Sequence, residues 1–171
     1  MWTAQYFKFN DPRRLITSGG LGTMGFGLGA SIGAQLGKPD CKVINIAGDG
    51  SFMMNCNELA TAVKNNLPIV VVIMNNNVLG MVRQWQTLFF DGRYSNTTLD
   101  RKTDLVKLAE AFGAEGYRVT EKDELEGVLQ KALNSKGPVV IDYVIDNDKK
   151  VFPMVAPGAP INQIISEEDI Q

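Results

Sequence analysis

Three runs along the chain are apolar and β-branched almost without interruption: Lys42-Val-Ile-Asn-Ile-Ala47, Pro68-Ile-Val-Val-Val-Ile-Met74 and Pro138-Val-Val-Ile-Asp-Tyr-Val-Ile145. A strand with one wet face alternates apolar and polar positions. A continuous run calls for cover on both faces, as in a parallel sheet flanked by helices. Helical spacing lies between the runs. Leu105, Leu108, Ala109 and Phe112 recur at i, i+3, i+4 and i+7, with Gly113 placed to end the helix. Leu125, Val128, Leu129, Ala132 and Leu133 repeat that pattern behind Thr120, a candidate N-cap followed by acidic residues. Phe52 to Lys64 reads as a further helix, opened by Ser51. Strands and helices alternating at these lengths predict an α/β fold of three layers, α/β/α, around a mostly parallel sheet.

Three stretches break the rhythm. Between Gly19 and Gly37, the glycines Gly25, Gly29, Gly33 and Gly37 stand four apart, a smooth strip if the segment is helical. Phe89 to Asp100 is polar and reads as a loop. Residues 149–171 hold three prolines and a Pro157-Gly158 turn signal, which predicts an irregular tail on a domain formed by residues 1–148.

Composition narrows the function. The 171 residues are enough for one domain, and 17 basic against 19 acidic side chains give no footprint for nucleic acid or an anionic membrane. The chain has no histidine, so His-based triads and HExxH metal sites are excluded. Leu15 to Gly37 carries no charge, but its glycine and polar content leaves too little apolar mass for a membrane span. Cys41 and Cys56 form no CxxC pair, and the N-terminus lacks a basic n-region and an apolar h-region. A reducing, cytoplasmic setting is expected.

The sharpest chemistry is Gly48-Asp49-Gly50-Ser51, between a buried strand and a helix. Open α/β sheets bind ligands at the carboxyl ends of their strands, and free N–H groups at a helix start suit phosphate. Asp49 would repel a phosphate unless a cation stood between them, so the pairing implies Mg²⁺. Asn75-Asn76-Asn77 ends the next strand, and Asn76 follows Asp49 by 27 positions, room for one helix and one strand. Taken singly, each element is more economically a turn and a helix cap. At matching strand ends, the two together favour a magnesium–diphosphate site. Gly20-Leu-Gly-Thr-Met-Gly25 satisfies GxGxxG but lacks a preceding strand, so a dinucleotide-binding reading is set aside.

A Gly-Asp-Gly start with an Asn-Asn finish resembles the thiamin diphosphate signature. The blocks Thr17-Ser-Gly-Gly-Leu-Gly-Thr-Met-Gly, Gly48-Asp-Gly-Ser-Phe-Met-Met-Asn, Leu79-Gly-Met-Val-Arg-Gln-Trp-Gln and Val151-Phe-Pro-Met-Val-Ala-Pro-Gly resemble, in order, the large catalytic subunit of acetolactate synthase. That resemblance implies roles. Asp49 and Asn76 would hold Mg²⁺ by side-chain oxygen, and Val78 by its backbone carbonyl, where some members carry a carboxylate. Gly48, Gly50 and Ser51 would meet the diphosphate. Met24 would lie beneath the cofactor and enforce its bent shape, Gly22 would orient its aminopyrimidine through a carbonyl, and Gly80 and Met81 would line the same cofactor site. Met54, Met81 and Trp85 would roof the reacting carbons, with Trp85 facing the acceptor; core packing is the competing explanation for these three.

The family decarboxylates pyruvate and condenses the product with a second 2-keto acid, pyruvate or 2-ketobutyrate, in branched-chain amino acid biosynthesis. Its subunits are longer, carry FAD in a domain outside this segment, and pair as dimers or tetramers in which a partner's pyrimidine-binding domain completes each site; some bind a regulatory subunit. The 171 residues then correspond to a C-terminal piece with half an active site, inactive alone. Another thiamin diphosphate decarboxylase or carboligase, or a non-catalytic assembly module, are the alternatives.

Overall fold

A computed structural model describes residues 1–99 and 102–169. In chain order the elements are α1 (Trp2–Tyr6), α2 (Phe26–Gly37), β1 (Ile44–Gly48), α3 (Asp49–Met54), α4 (Leu59–Lys64), β2 (Val70–Asn75), α5 (Gly80–Phe89), α6 (Leu105–Phe112), β3 (Glu115–Val119), α7 (Leu125–Asn134), β4 (Val139–Val144), β5 (Met154–Val155) and β6 (Ile164–Ile165). Strands β1 to β4 form one sheet in the order β1-β2-β4-β3, every pair parallel.

The three continuous apolar runs become β1, β2 and β4, and β2 with β4 form the middle of the sheet. Ile69, Val71, Ile73 and Val140 pack beneath Leu28 and Ile32 of α2, Phe52 of α3, Leu59 and Ala62 of α4, and Leu105 and Ala109 of α6. On the opposite face Val70, Val72, Val139 and Ile141 meet Ala132 of α7, with Leu125, Val128 and Leu129 around it. Helices therefore cover both faces, as the run pattern predicts. A fully buried Val or Ile contributes about 1.5–3 kcal/mol, whereas an exposed pair such as Arg14–Asp11 contributes roughly 0–1. The central strands hold the domain together. On the α7 side the cover stops short of β1, where Ile44 and Ile46 are 44% and 45% exposed.

Several expectations need correction. The helix expected over Phe52–Lys64 starts earlier, at Asp49, and breaks at Asn55 (φ −136°, ψ 27°) into α3, a 3₁₀ turn at Cys56–Glu58, and α4. The Asn55 side chain leaves the helix direction to donate to the Gly25 carbonyl at 3.0 Å. Thr120 caps nothing: a 3₁₀ turn (Lys122–Glu124) leads into α7, and Glu121 and Glu124 form its capping box. Gly25 lies outside the helical strip, as the left-handed residue (φ 86°) that starts α2. Strand β3 (Glu115–Val119) has no apolar run to announce it. The tail is mostly irregular, yet β5 and β6 pair antiparallel within it. Gly113 does end α6 in the left-handed region, with φ 91°.

Nothing between residues 7 and 25 is a strand, so Gly20–Gly25 is not a dinucleotide-binding turn. No described helix is long and apolar enough to cross a membrane.

Candidate functional site

Parallel pairing sets the site. Gly48, the last residue of β1, is in register with Met74 of β2, so Asp49 and the Asn75–Asn77 segment leave adjoining strand ends on the same edge. Asp49 is the first residue of α3 and only 1% exposed. A carboxylate that deep needs cationic or donor partners.

Gly50 is where side chains converge. A Cβ built there would lie 2.9 Å from Leu79 Cδ2, 3.2 Å from Met24 Cε and 3.5 Å from Leu99 Cδ1. Glycine there lets these three apolar side-chain ends close over the turn, where a larger residue would have to push them aside. Met24 thus reaches the Gly50 turn. Leu79 and Leu99 complete the cradle, and sequence reasoning singled out neither; the one available hint was that Leu79 sits inside the block with Gly80 and Met81.

The Ser51 hydroxyl accepts the Gly25 N–H at 3.0 Å, which ties the start of α2 to α3 and leaves the Ser51 O–H able to donate outward. Before it, the loop is closed by Gly22 N–H donating to the Ser18 carbonyl at 2.9 Å, with Gly22 at φ 63°, a value that favours glycine. The neighbouring Thr23 N–H donates to Ser18 Oγ at 3.1 Å.

Across the strand ends, Asn76 Oδ1 accepts the Val78 N–H at 3.2 Å, and Asn77 turns the chain with φ 59°. Asn76 Nδ2 would lie 3.2 Å from a Cβ at Gly80, so glycine there leaves space for the amide. Val78 is buried and bridges Thr98, while Leu79 N–H donates to Thr97 O and Leu99 N–H to Asn77 O, both at 2.8 Å. The polar Phe89–Asp100 stretch is therefore a loop over most of its length, but Thr97–Leu99 returns to brace the asparagine turn; Asp100 lies outside the described residues.

From this turn α5 runs outward. Met81, Val82, Trp85, Gln86, Phe90 and Arg93 line a cleft of about 640 Å³. Trp85 meets Phe89 edge-on at 5.6 Å and is 39% exposed, so it is not a core residue. Met54 is not part of this lining; it packs beside Gly25, 3.2 Å from where a Cβ would stand. Met81 and Trp85 are brought together, Met54 stands apart. Buried Gln84 clamps the tail: its Nε2 donates to Val151 O at 2.9 Å and its Oε1 accepts Val151 N–H at 2.8 Å. Tyr6 OH and Gln5 Nε2 of α1 hold the carbonyls of Phe152 and Pro153.

The donors at the strand ends are all oxygen: a buried carboxylate, an amide and a main-chain carbonyl. Such a set suits a hard cation like Mg²⁺ rather than a thiol- or imidazole-seeking metal. Among the described residues no group of three or more His, Cys, Asp or Glu is placed to hold a metal. Any cation here would share its charge with a ligand's anionic oxygens, as a diphosphate supplies. The residues fit the group.

A glycine cradle, a buried aspartate and an asparagine turn at adjoining ends of parallel strands agree with a family match over residues 1–143: "Thiamine pyrophosphate enzyme, C-terminal TPP binding domain". The chain belongs to this family. It is 48% identical over 98% of its length to the acetolactate synthase isozyme 2 large subunit of Escherichia coli, covering 30% of that protein. The mitochondrial acetolactate synthase catalytic subunit of Saccharomyces cerevisiae is 46% identical over 97% of the chain, which covers 24% of that protein. Among solved structures, a thiamine diphosphate-dependent 4-hydroxybenzoylformate decarboxylase of Rhodococcus jostii superposes with a TM-score of 0.68 at 32% identity, over 75% of this chain and 24% of that one. The TPP-binding domain thus spans about a quarter to a third of these relatives.

Proposed function

We propose that this domain holds the diphosphate end of thiamin diphosphate, through Mg²⁺, in an acetolactate synthase that joins two 2-keto acids such as pyruvate and 2-ketobutyrate. The observation that carries the proposal is the Gly48–Met74 register, which brings buried Asp49 and the Asn76 turn to adjoining strand ends beside the Gly50 cradle. Bound there, the cofactor supplies the carbanion chemistry of decarboxylation and carbon–carbon bond formation.

The chain's own residues bind, orient and exclude water. Asp49, Asn76 and the Val78 carbonyl hold the cation. The Gly50 amide and the Ser51 hydroxyl, with Gly48 at the turn, meet diphosphate oxygens. Met24, pressed against Gly50, supports the cofactor from below, and Gly22 shapes the loop that leads to it. Gly80 leaves room for the Asn76 amide. Met81 and Trp85 on the cleft wall give the substrate carbons an apolar surface, where a low dielectric favours loss of carboxylate. Met54 is exposed and stands beside Gly25 at the start of α2.

The uncovered Ile44 and Ile46 and the open strip along Gly29, Gly33 and Gly37, with nothing within 4 Å of their Cβ positions, support work within a larger assembly. That assembly is a dimer or tetramer in which a partner's pyrimidine-binding domain closes the site. FAD and any regulatory subunit belong to parts outside this segment.

The test is a chimera in which this chain replaces the corresponding segment of the Escherichia coli isozyme 2 large subunit. The expected result is acetolactate from pyruvate, lost on Asp49→Ala. A folded chimera that makes no acetolactate contradicts the proposal, and one that releases aldehyde instead supports a decarboxylase, the class of the solved relative.

A further inference from the structure

Three consecutive amides, Asn75, Asn76 and Asn77, end β2, and something must decide which one faces the cation. Asn75 is taken up by the next strand, β4. Its Nδ2 donates to Asp142 Oδ1 of β4 at 2.8 Å, and Asp142 is only 2% exposed. The other Asp142 oxygen accepts Arg118 Nε of β3 at 3.1 Å, and Arg118 Nη2 donates to Asp104 Oδ1 at 2.7 Å. Asp104 in turn caps α6 through the Val106 and Lys107 N–H groups. A continuous polar chain therefore crosses the carboxyl edge of the sheet from α6 through β3 and β4 to β2. It borders a small cavity of about 150 Å³ lined by Asn75, Asn77, Arg118 and Asp142 among others.

We propose that Asp142, held by Arg118, is a positioning residue: by pinning the Asn75 amide toward β4 it leaves Asn76 as the amide presented to Asp49. This rests on the magnesium–diphosphate reading above. Asn75 is the last residue of β2 and Asn76 leads directly into the turn closed by the Val78 N–H, so the bond from Asn75 to Asp142 fixes the point from which that turn departs. Asn77 is removed from competition by its left-handed backbone (φ 59°). Released from Asp142, the Asn75 amide is free to rotate, and the Asn76–Val78 turn loses its anchor. Outer contacts that orient a metal ligand typically change metal affinity 10–100-fold, and the Asp142–Asn75 bond acts one residue from Asn76.

The experiment uses the 171-residue chain with Asp142→Ala, Asn75→Ala, the double variant and Asp142→Asn. Amide hydrogen exchange without ligand is the first readout. Asp142→Ala is expected to speed exchange at Val78, whose N–H is bound to Asn76, at least tenfold, with Val71–Ile73 unchanged. Exchange at Val78 that stays the same, or rises equally along β2, overturns the proposal. Uptake of Mn²⁺ with thiamin diphosphate, followed by calorimetry, is the second. Each alanine variant is expected to weaken it 10–100-fold and the double variant no more than either, since both break one contact. Asp142→Asn keeps an amide–amide bond to Asn75, so affinity should stay within threefold of wild type even though the ion pair with Arg118 is gone. Losses that add in the double variant, or that Asp142→Asn shares, overturn the proposal. Because a partner's domain closes the site in the proposed assembly, a wild-type chain that takes up no Mn²⁺–thiamin diphosphate leaves the exchange result to decide the role of Asp142.

Discussion

Gly27 and Asn45 offer a test in which packing and site are linked. A methyl at Gly27 would sit 2.5 Å from Asn45 Oδ1, 3.3 Å from its Cγ and 3.5 Å from its Nδ2. Carbon and oxygen normally approach no closer than about 3.3 Å, so the contact is short by most of an ångström. Rotating the amide still leaves an atom in the way, because Asn45 is buried on β1. Overpacking of this kind costs about 1–3 kcal/mol, against about 0.5–1 kcal/mol gained by replacing a helical glycine with alanine. Gly27→Ala should therefore destabilise by roughly 0.5–2 kcal/mol, a loss of a few degrees in Tm at about 2–4 °C per kcal/mol. In an Asn45→Ala background the clash is gone, and the same substitution should stabilise. Urea unfolding of the four proteins gives the coupling, expected at about 1–3 kcal/mol. A coupling under about 0.5 kcal/mol, or a stabilising Gly27→Ala in the wild-type chain, would refute the argument. Gly27 lies in the first turn of α2, two residues past Gly25, whose N–H meets Ser51 Oγ.

Other consequences are as specific. Gly116→Ala on β3 places a Cβ 2.9 Å from the Val106 carbonyl of α6, backbone that no rotamer change can clear, so a loss of about 1–3 kcal/mol is expected in denaturant unfolding. Asn55→Ala deletes the bond to the Gly25 carbonyl and should cost about 0.5–1.5 kcal/mol; calorimetric Tm checks it. The Lys107 N–H, then Arg118, hold the Asp104 carboxyl below the usual carboxylate range. A depressed folded pKa means that its stabilisation is present above the ordinary value near 4 and lost as pH falls through the lower folded value. Asp104→Asn should accordingly be less stable than wild type at pH 6, with the gap closing at pH 3 and below.

The sequence makes the inner part of the fold legible and its margins less so. Strands β1, β2 and β4 announce themselves because burial on both faces demands unbroken apolar runs. Strand β3 does not. As an edge strand, Glu115-Gly-Tyr-Arg-Val119 carries polar groups that serve Ser135 and Asp142, so it has neither a run nor a clean alternation. The break at Asn55 was hidden because its cause, a bond to Gly25 thirty residues earlier, is tertiary. Within the site, Gly48–Ser51 and Asn76 stand out because turn glycines and amides at strand ends have few structural uses at that spacing. Leu79, Leu99 and Asp142 look like ordinary residues until the register brings them in.

The central claim is that Asp49 and Asn76 jointly hold a cation that fixes a diphosphate. Crystals of the chain grown with Mn²⁺ and thiamin diphosphate test it through anomalous scattering. The account predicts a peak coordinated by the Asp49 carboxylate, the Asn76 amide oxygen and the Val78 carbonyl, with diphosphate oxygens completing the shell. A bound cofactor whose cation lies elsewhere, away from both side chains, would contradict it.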